Sequence, residues 1–272
     1  MQEQIITIFC LCDDFLVASG YCDDKQARIS TAEIMTIALV AATFFAGNQE
    51  LSRQFLIEHG YLSYSISKSR FNRRLYRIPD TLWQALFALL ADVHRQLNPD
   101  QEYVVDSMPI PVCDNIRIRR CKLYQDEAYR GKIASKRRYF YGIRVHLLIT
   151  ATGQPVEMLL APGSVADIRA FRSMDLDLPE GAEIYADAAY TDYLFEDTLQ
   201  EVSKIELIAA RKSNSTRVRP GWITYLADRV RKRVETTFSL LAERLAKSVH
   251  AVTPRGFELK VFLTVLAFAI TA

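Results

Sequence analysis

The chain reads as an α/β protein: a mixed sheet flanked by helices, preceded by an all-helical N-terminal domain. Three observations predict this. Apolar residues recur at helical spacing through the first hundred positions. Beyond residue 100, short runs of β-branched and aromatic residues alternate with helical stretches. Between the two regions stands Asn98-Pro99-Asp100, a turn signal. The expected domains are therefore residues 1–100 and 101–272.

The elements follow in order. Ser30 and Glu33 form a capping box ahead of the apolar run Ile34–Phe45, and Gly47 stops that helix. A second helix spans Gln49–His59 and ends at Gly60. A third runs from about Ser67 to Ile78 and must stop before Pro79. Asp80 caps a fourth, Thr81–Leu97. Tyr103-Val104-Val105 is a short strand. Residues 139–150 and Pro155–Leu160 form a hairpin around Ala151-Thr152-Gly153-Gln154. A helix over Val165–Met174, a strand at Glu183–Ala186, a helix over Tyr193–Val202 and a strand at Ile205–Ala210 come next. Two helices close the chain, Ile223–Val249 and Pro254 to the end.

Length and composition exclude several classes. The chain has 272 residues, half of them apolar or aromatic and 24% charged, which rules out a disordered chain or a fibrous repeat. The apolar runs Ile34–Ala46 and Val261–Ile270 fall short of the roughly 20 residues of a membrane span, so they read as core helices. Cys10, Cys12, Cys22, Cys113 and Cys121 fit no zinc spacing and read as free thiols in a reducing cytoplasm.

The net charge of +2 conceals an uneven distribution. Residues 117–144 hold 10 basic residues against Asp126 and Glu127. Residues 211–233 hold 8 against Asp228. Such blocks are either polyanion-binding surfaces or solvated loops. Arg70, Arg73, Arg74 and Arg77 fall at i, i+3, i+4 and i+7, one face of the third helix, with Phe71, Leu75 and Ile78 on its apolar side. A helix-turn-helix that places these arginines on DNA is one reading, and a solvated arginine face is the other.

Two aspartates share a context. Asp106 ends Val104-Val105 and Asp187 ends Ile184-Tyr185-Ala186, so both stand at strand ends, where α/β sheets place their sites. Glu235 lies beside the apolar stripe Val230, Val234, Phe238, Leu241 and Leu245 of the long helix, with Arg231 one turn before it. Three converging acids repel and need a cation, and hard divalent ions take carboxylate oxygens. On spacing alone a strand-end aspartate is equally a turn cap. His146 reads as a packed, hydrogen-bonded histidine with a catalytic base as its alternative, Asp167 as a helix cap with support of the metal-binding residues as its alternative, and Trp222 as a core residue with stacking on an unpaired base as its alternative.

Val104-Val105-Asp106-Ser107, the segment Tyr139 to Leu148, Ala186-Asp187-Ala188-Ala189-Tyr190 and Arg231 to Phe238 occur in the order found in bacterial insertion-sequence transposases. The chain resembles a DDE transposase of the insertion-sequence 982 type, over residues 101–272 and in its helical N-terminal part. The resemblance implies an RNase H-like catalytic domain in which Asp106, Asp187 and Glu235 bind metal, two Mg²⁺ or Mn²⁺ ions. It implies cleavage of double-stranded DNA at the element's terminal repeats, strand transfer of the 3′-hydroxyl into target DNA, and a homodimer on DNA. The DNA-binding residues expected are Arg70, Arg73, Arg74, Arg77, Lys136, Arg137, Arg138, Arg231 and Lys232. The tyrosine and lysine that some relatives place around Arg231 and Glu235 are replaced by Asp228 and Ala242. A nuclease without strand transfer and a non-catalytic DNA-binding protein of the same fold are the alternatives.

Overall fold

The computed structural model describes residues 1–133, 137–245, 249 and 251–271, and all but the side chains of Asp114, Asn115 and Arg231 within them. The chain forms two compact units, Met1–Leu90 with Leu241–Val249 and Arg255–Ala272, and Ala91–Leu240 with His250–Pro254.

The first unit is helical: α1 (Gln2–Ala18), α2 (Thr31–Phe44), α3 (Gln49–Glu58), α4 (Lys68–Leu75), the start of α5 (Asp80–Gln96) and α9 (Pro254–Thr271). The capping box holds as expected: Ser30 Oγ accepts from the Glu33 N–H at 3.1 Å and the Glu33 carboxylate from the Ser30 N–H at 2.7 Å. The same carboxylate accepts the Ser63 N–H at 2.8 Å, tying the chain after α3 to the start of α2. Every residue from Thr31 to Ala42 is buried, and α9 is buried on most of its surface. Both helices are therefore apolar on nearly all sides because both are core elements. Among the described residues no single helix is long and apolar enough to cross a membrane.

Four details differ from the sequence-based expectation, the first being α1, which precedes the first helix expected. The third helix is shorter, Lys68–Leu75, so Arg77 lies in the turn beyond it. Residues 59–67 separate α3 from α4, longer than the 3–4-residue turn of a helix-turn-helix. The C-terminal α9 belongs to the helical unit, where Phe262 meets Phe87 of α5 edge-on at 6.0 Å. Periodicity marks α9 as buried but carries no information about which core receives it.

The second unit is built on a six-stranded sheet: β1 (Glu102–Asp114), β2 (Arg130–Ile133), β3 (Arg138–Thr150), β4 (Pro155–Pro162), β5 (Glu183–Ala186) and β6 (Glu206–Ala209). Its order is β2-β3-β1-β5-β6, with β4 also paired to β3. β4, β3 and β1 are antiparallel neighbours, whereas β1, β5 and β6 run parallel. Short helices α6 (Asp167–Phe171) and α7 (Tyr193–Thr198) connect the strands, and α8 (Gly221–Arg244) follows β6.

β1 is longer than the apolar run Tyr103–Val105 suggests. Its pairing with β5 stops at Val105, while its pairing with β3 continues to Asp114 with an irregularity between Pro111 and Cys113. Past Val105 the β5 side is open, and there prolines such as Pro109 and Pro111 cost no ladder hydrogen bond. β2 was also not expected. It pairs with the start of β3, and a Cβ at Gly131 would stand 2.5 Å from both the Phe140 ring and the Gly163 carbonyl, so only glycine fits that crossing.

The alternation of side chains divides the sheet into two faces. Tyr103 and Val105 of β1, Ile184 and Ala186 of β5, and Leu207 and Ala209 of β6 join Phe171, Met174, Tyr190 and Leu199 in one core. Glu102, Val104 and Asp106 lie on the opposite face. There α8 packs: Glu102 feels the charges of Arg233 and Arg229, Arg233 donates to the Ala151 carbonyl at 2.7 Å, and the Thr237 hydroxyl to that of Gly153 at 3.4 Å.

Candidate catalytic site and nucleic-acid interface

The register of β1 and β5 decides where the two aspartates stand. Val105 pairs with Ala186 in a parallel ladder. Asp106 and Asp187 are the residues that follow this last pair, Asp106 within β1 and Asp187 just past the end of β5, so their backbones leave the ladder as neighbours. Asp187 stays extended (φ −77°, ψ 176°), which keeps it in line with Tyr185 and on the Val104–Asp106 face. Each carboxylate is held by a local backbone N–H. Asp106 accepts from Ser107 at 2.7 Å, and Asp187 accepts from Ala189 at 2.7 Å, capping the turn Ala188–Tyr190. Both are half-buried.

Glu235 is exposed on α8. The buried stripe of that helix comprises Ala227, Val230, Val234, Thr237 and Leu241, with Phe238 and Leu245 half-buried. At about 100° per residue, Arg233 and Glu235 leave on opposite flanks of Val234. Arg233 is anchored at Ala151, whose N–H donates to the Glu102 carbonyl at the start of β1. Glu235 therefore leaves α8 on the flank away from Arg233 and the start of β1, exposed to solvent. Among the described residues no three His, Cys, Asp or Glu side chains form a ready-made metal cluster. The structure thus pairs Asp106 with Asp187 and leaves Glu235 on the facing helix. Neighbouring carboxylates with part-exposed oxygens are a donor set that suits a hard divalent cation.

Beneath this pair, on the other face, lies a network that the sequence only hinted at. Ser107 Oγ donates to Asp167 Oδ1 at 2.8 Å, and Arg144 Nη1 donates to Ser107 Oγ at 3.1 Å and Asp167 Oδ1 at 3.3 Å. Asp167 is thus no helix cap: it is the first residue of α6, and Ala166 at the cap position makes no side-chain bond. Tyr190 packs edge-on against Phe171 at 5.7 Å. Burial raises its phenol well above the usual range, and the charges of Asp167, Asp106 and Asp187 push the same way. One hydroxyl therefore senses all three carboxylates. His146 is fully buried but its ring nitrogens lack the expected hydrogen bonds, and Asp167 Oδ1 is 3.9 Å away. Burial drops it to about 4, Asp167 opposing and Arg144 assisting that shift.

The basic residues divide into two groups. Arg70, Arg73 and Arg77 are exposed and, with Arg28 and Tyr64, line an open cavity of about 700 Å³ in the helical unit. Arg74 turns inward. Its guanidinium donates to the Ile29 carbonyl, to Asp23 at 3.0 Å and to Thr31 Oγ1 at 3.2 Å. Asp23 in turn accepts the Thr31 N–H at 2.8 Å, so Arg74 braces the start of α2. Arg74→Ala is expected to remove about 1–3 kcal/mol of stability by leaving these acceptors unpaired, seen as a melting temperature several degrees lower. An unchanged melting temperature would contradict this bracing role.

The block 211–233 is part structural as well. Arg211 pairs with Glu196, Arg217 with Asp197 through two bonds of 2.6 and 2.8 Å, and Arg219 with Glu206 at 3.0 Å. Arg211 and Arg217 also lie over the Tyr193 ring. These partners are tertiary, so the local charge count overstates the available positive surface. Lys232 is exposed; Arg137 and Arg138 are exposed at the start of β3. Lys136 and the Arg231 side chain lie outside the described residues. Trp222 is 65% exposed and Tyr225 is 69% exposed one turn on, which corrects the expectation of a core tryptophan.

The mixed sheet, with antiparallel strands β4, β3 and β1 followed by β5 and β6 added in parallel, and its flanking helices are those of an RNase H-like α/β domain. Residues 97–250, more than half of the chain, match the family described as transposase DDE domain, and the chain belongs to that family. No curated protein and no solved structure matches it. Membership makes the chain an insertion-sequence transposase of the DDE type, an enzyme of a family that acts on DNA with a divalent metal.

Proposed function

We propose that this transposase cuts double-stranded DNA at the terminal repeats of an insertion sequence of the 982 type and joins the freed 3′-hydroxyl to target DNA. The observation that supports this reading is the β1–β5 register, whose last pair, Val105 and Ala186, immediately precedes Asp106 and Asp187 within the matched segment. Asp106, Asp187 and Glu235 are the residues that would hold the metal, two Mg²⁺ or Mn²⁺ ions. When bound, such a pair stabilises the attacking and leaving oxygens of a phosphoryl transfer.

The chain's own groups do the rest. The Ser107 and Ala189 N–H groups orient the two aspartates. Glu235, exposed on α8, is free to change rotamer and approach them when DNA and cation neutralise the site. Arg70, Arg73 and Arg77 in the helical unit, and Lys136, Arg137, Arg138, Arg231 and Lys232 in the sheet unit, bind phosphates. A homodimer brings two element ends together for one joining reaction.

The test uses a labelled duplex carrying an element end, a plasmid target and Mg²⁺. Joined product is expected, and its loss on chelation. Nicking without joining would favour the nuclease alternative. Arg70→Ala with Arg73→Ala is expected to weaken DNA binding and lower the slope of log K against log salt by about 2, one released counterion per lost contact. An unchanged slope would remove this face from the DNA interface.

A further inference from the structure

We propose that Asp167 is a positioning residue for Asp106, acting through Ser107. This inference rests on the carboxylate site proposed above. Ser107 is the residue after Asp106, and its backbone N–H already holds the Asp106 carboxylate at 2.7 Å. Its side chain points to the other face of the sheet, where the hydroxyl donates to Asp167 Oδ1 at 2.8 Å. The peptide bearing that N–H is thus pinned from the face opposite the carboxylate it orients.

Asp167 is in turn well anchored. Arg144 Nη1 reaches Asp167 Oδ1 at 3.3 Å and Ser107 Oγ at 3.1 Å, while its Nη2 donates to the Lys132 carbonyl at 2.9 Å. Arg144 sits on β3 and Asp167 at the start of α6, so three separate elements meet at one hydroxyl. The Arg144–Asp167 pair is half-buried, with side chains 18% and 21% exposed. It is also neutral as a pair, so Asp167 adds order at Asp106 without adding to the repulsion between Asp106 and Asp187. The Tyr190 phenol, fully buried, feels the charges of Asp167, Asp106 and Asp187 together. Groups that orient metal-binding carboxylates have effects of this kind: their loss weakens metal affinity about 10–100-fold.

The experiment is Mn²⁺ titration calorimetry on the full chain, run on Ser107→Ala, Asp167→Ala, Asp167→Asn and the Ser107→Ala/Asp167→Ala pair. Each alanine variant is expected to lose about tenfold or more in Mn²⁺ affinity. The double variant should lose no more than the stronger single one, because both act through one chain of contacts. Asp167→Asn keeps an acceptor for the hydroxyl and should restore most of the affinity. In the DNA assay the loss should fall on kcat, with KM for DNA unchanged. Ser107→Ala leaves the Arg144–Asp167 pair intact, so it reports even if Asp167→Ala fails to fold. Unchanged Mn²⁺ affinity in Ser107→Ala, or losses that multiply in the double variant, would overturn the inference. Asp106→Asn is titrated in parallel. If it loses Mn²⁺ while Ser107→Ala does not, only the positioning role fails; if it too binds Mn²⁺ normally, the carboxylate site fails with it.

Discussion

Asp106→Asn should bind element-end DNA as the unaltered chain does and cleave it at least about 1,000-fold more slowly, a loss of about 4 kcal/mol in transition-state stabilisation. The substitution preserves size and the acceptor for the Ser107 N–H, so the strand and its bulge are undisturbed. What it removes is one negative charge beside Asp187, and a hard cation depends on such charge for its affinity. DNA binding is expected to survive because the exposed arginines of α4 lie in the other unit. Parallel gel-shift and cleavage measurements in Mg²⁺ check both halves. Cleavage at the original rate would remove Asp106 from the metal site. Loss of DNA binding together with cleavage would show instead that the substitution unfolds the sheet.

Phe171→Ala should be the most destabilising single truncation in the sheet unit. Phe171 is fully buried and meets Tyr190 and Phe195 edge-on, each at 5.7 Å. It is the point where α6 is fastened to the core that also holds Val105, Ile184 and Ala186. Truncating a buried phenylalanine costs about 3–5 kcal/mol through lost burial and the cavity left behind. That is a large share of the 5–15 kcal/mol typical of a folded domain. The readout is the urea midpoint, which should fall with little change in slope. A second consequence links packing to the site. Tyr190 rests on Phe171, and α6 begins at Asp167, so the variant should also lose Mn²⁺ affinity at temperatures where it remains folded. A loss below about 1 kcal/mol would mean that α6 is not anchored by this ring.

Much of the fold was legible because burial leaves local traces. Glu183–Ala186 is a run of four residues closed by an aspartate, and it is a strand over those same four positions. Ser30 with Glu33 marked the start of α2 because a capping box is complete within four residues. Asp106 and Asp187 stood out because each follows an apolar run; Asp187 does close β5, whereas Asp106 stands inside β1, which continues along β3 to Asp114.

What was not legible depends on partners far away in the chain. Nothing near Pro109 and Pro111 reveals that β3 supports them while the β5 side stands open. Arg74 belongs to the same helical face as Arg70 and Arg73, yet its role is set by Asp23, 51 residues earlier. The bond from Ser107 to Asp167 spans 60 residues. The arginines at 211, 217 and 219 looked like free positive charge until the acids of α7 and β6 met them. Glu235 is the converse case. The apolar stripe located its helix, but the carboxylate stands on an exposed flank, and local pattern cannot say what it reaches there.

The central claim is that Asp106, Asp187 and Glu235 act as one metal-binding set on DNA. Anomalous diffraction from crystals of the protein with element-end DNA and Mn²⁺ tests it most directly. The expected map has Mn²⁺ peaks between Asp106 and Asp187, with the Glu235 carboxylate moved in to complete the ligands and a scissile phosphate beside them. Mn²⁺ bound elsewhere, or bound at Asp106 and Asp187 with Glu235 still pointing to solvent beside the phosphate, would contradict it.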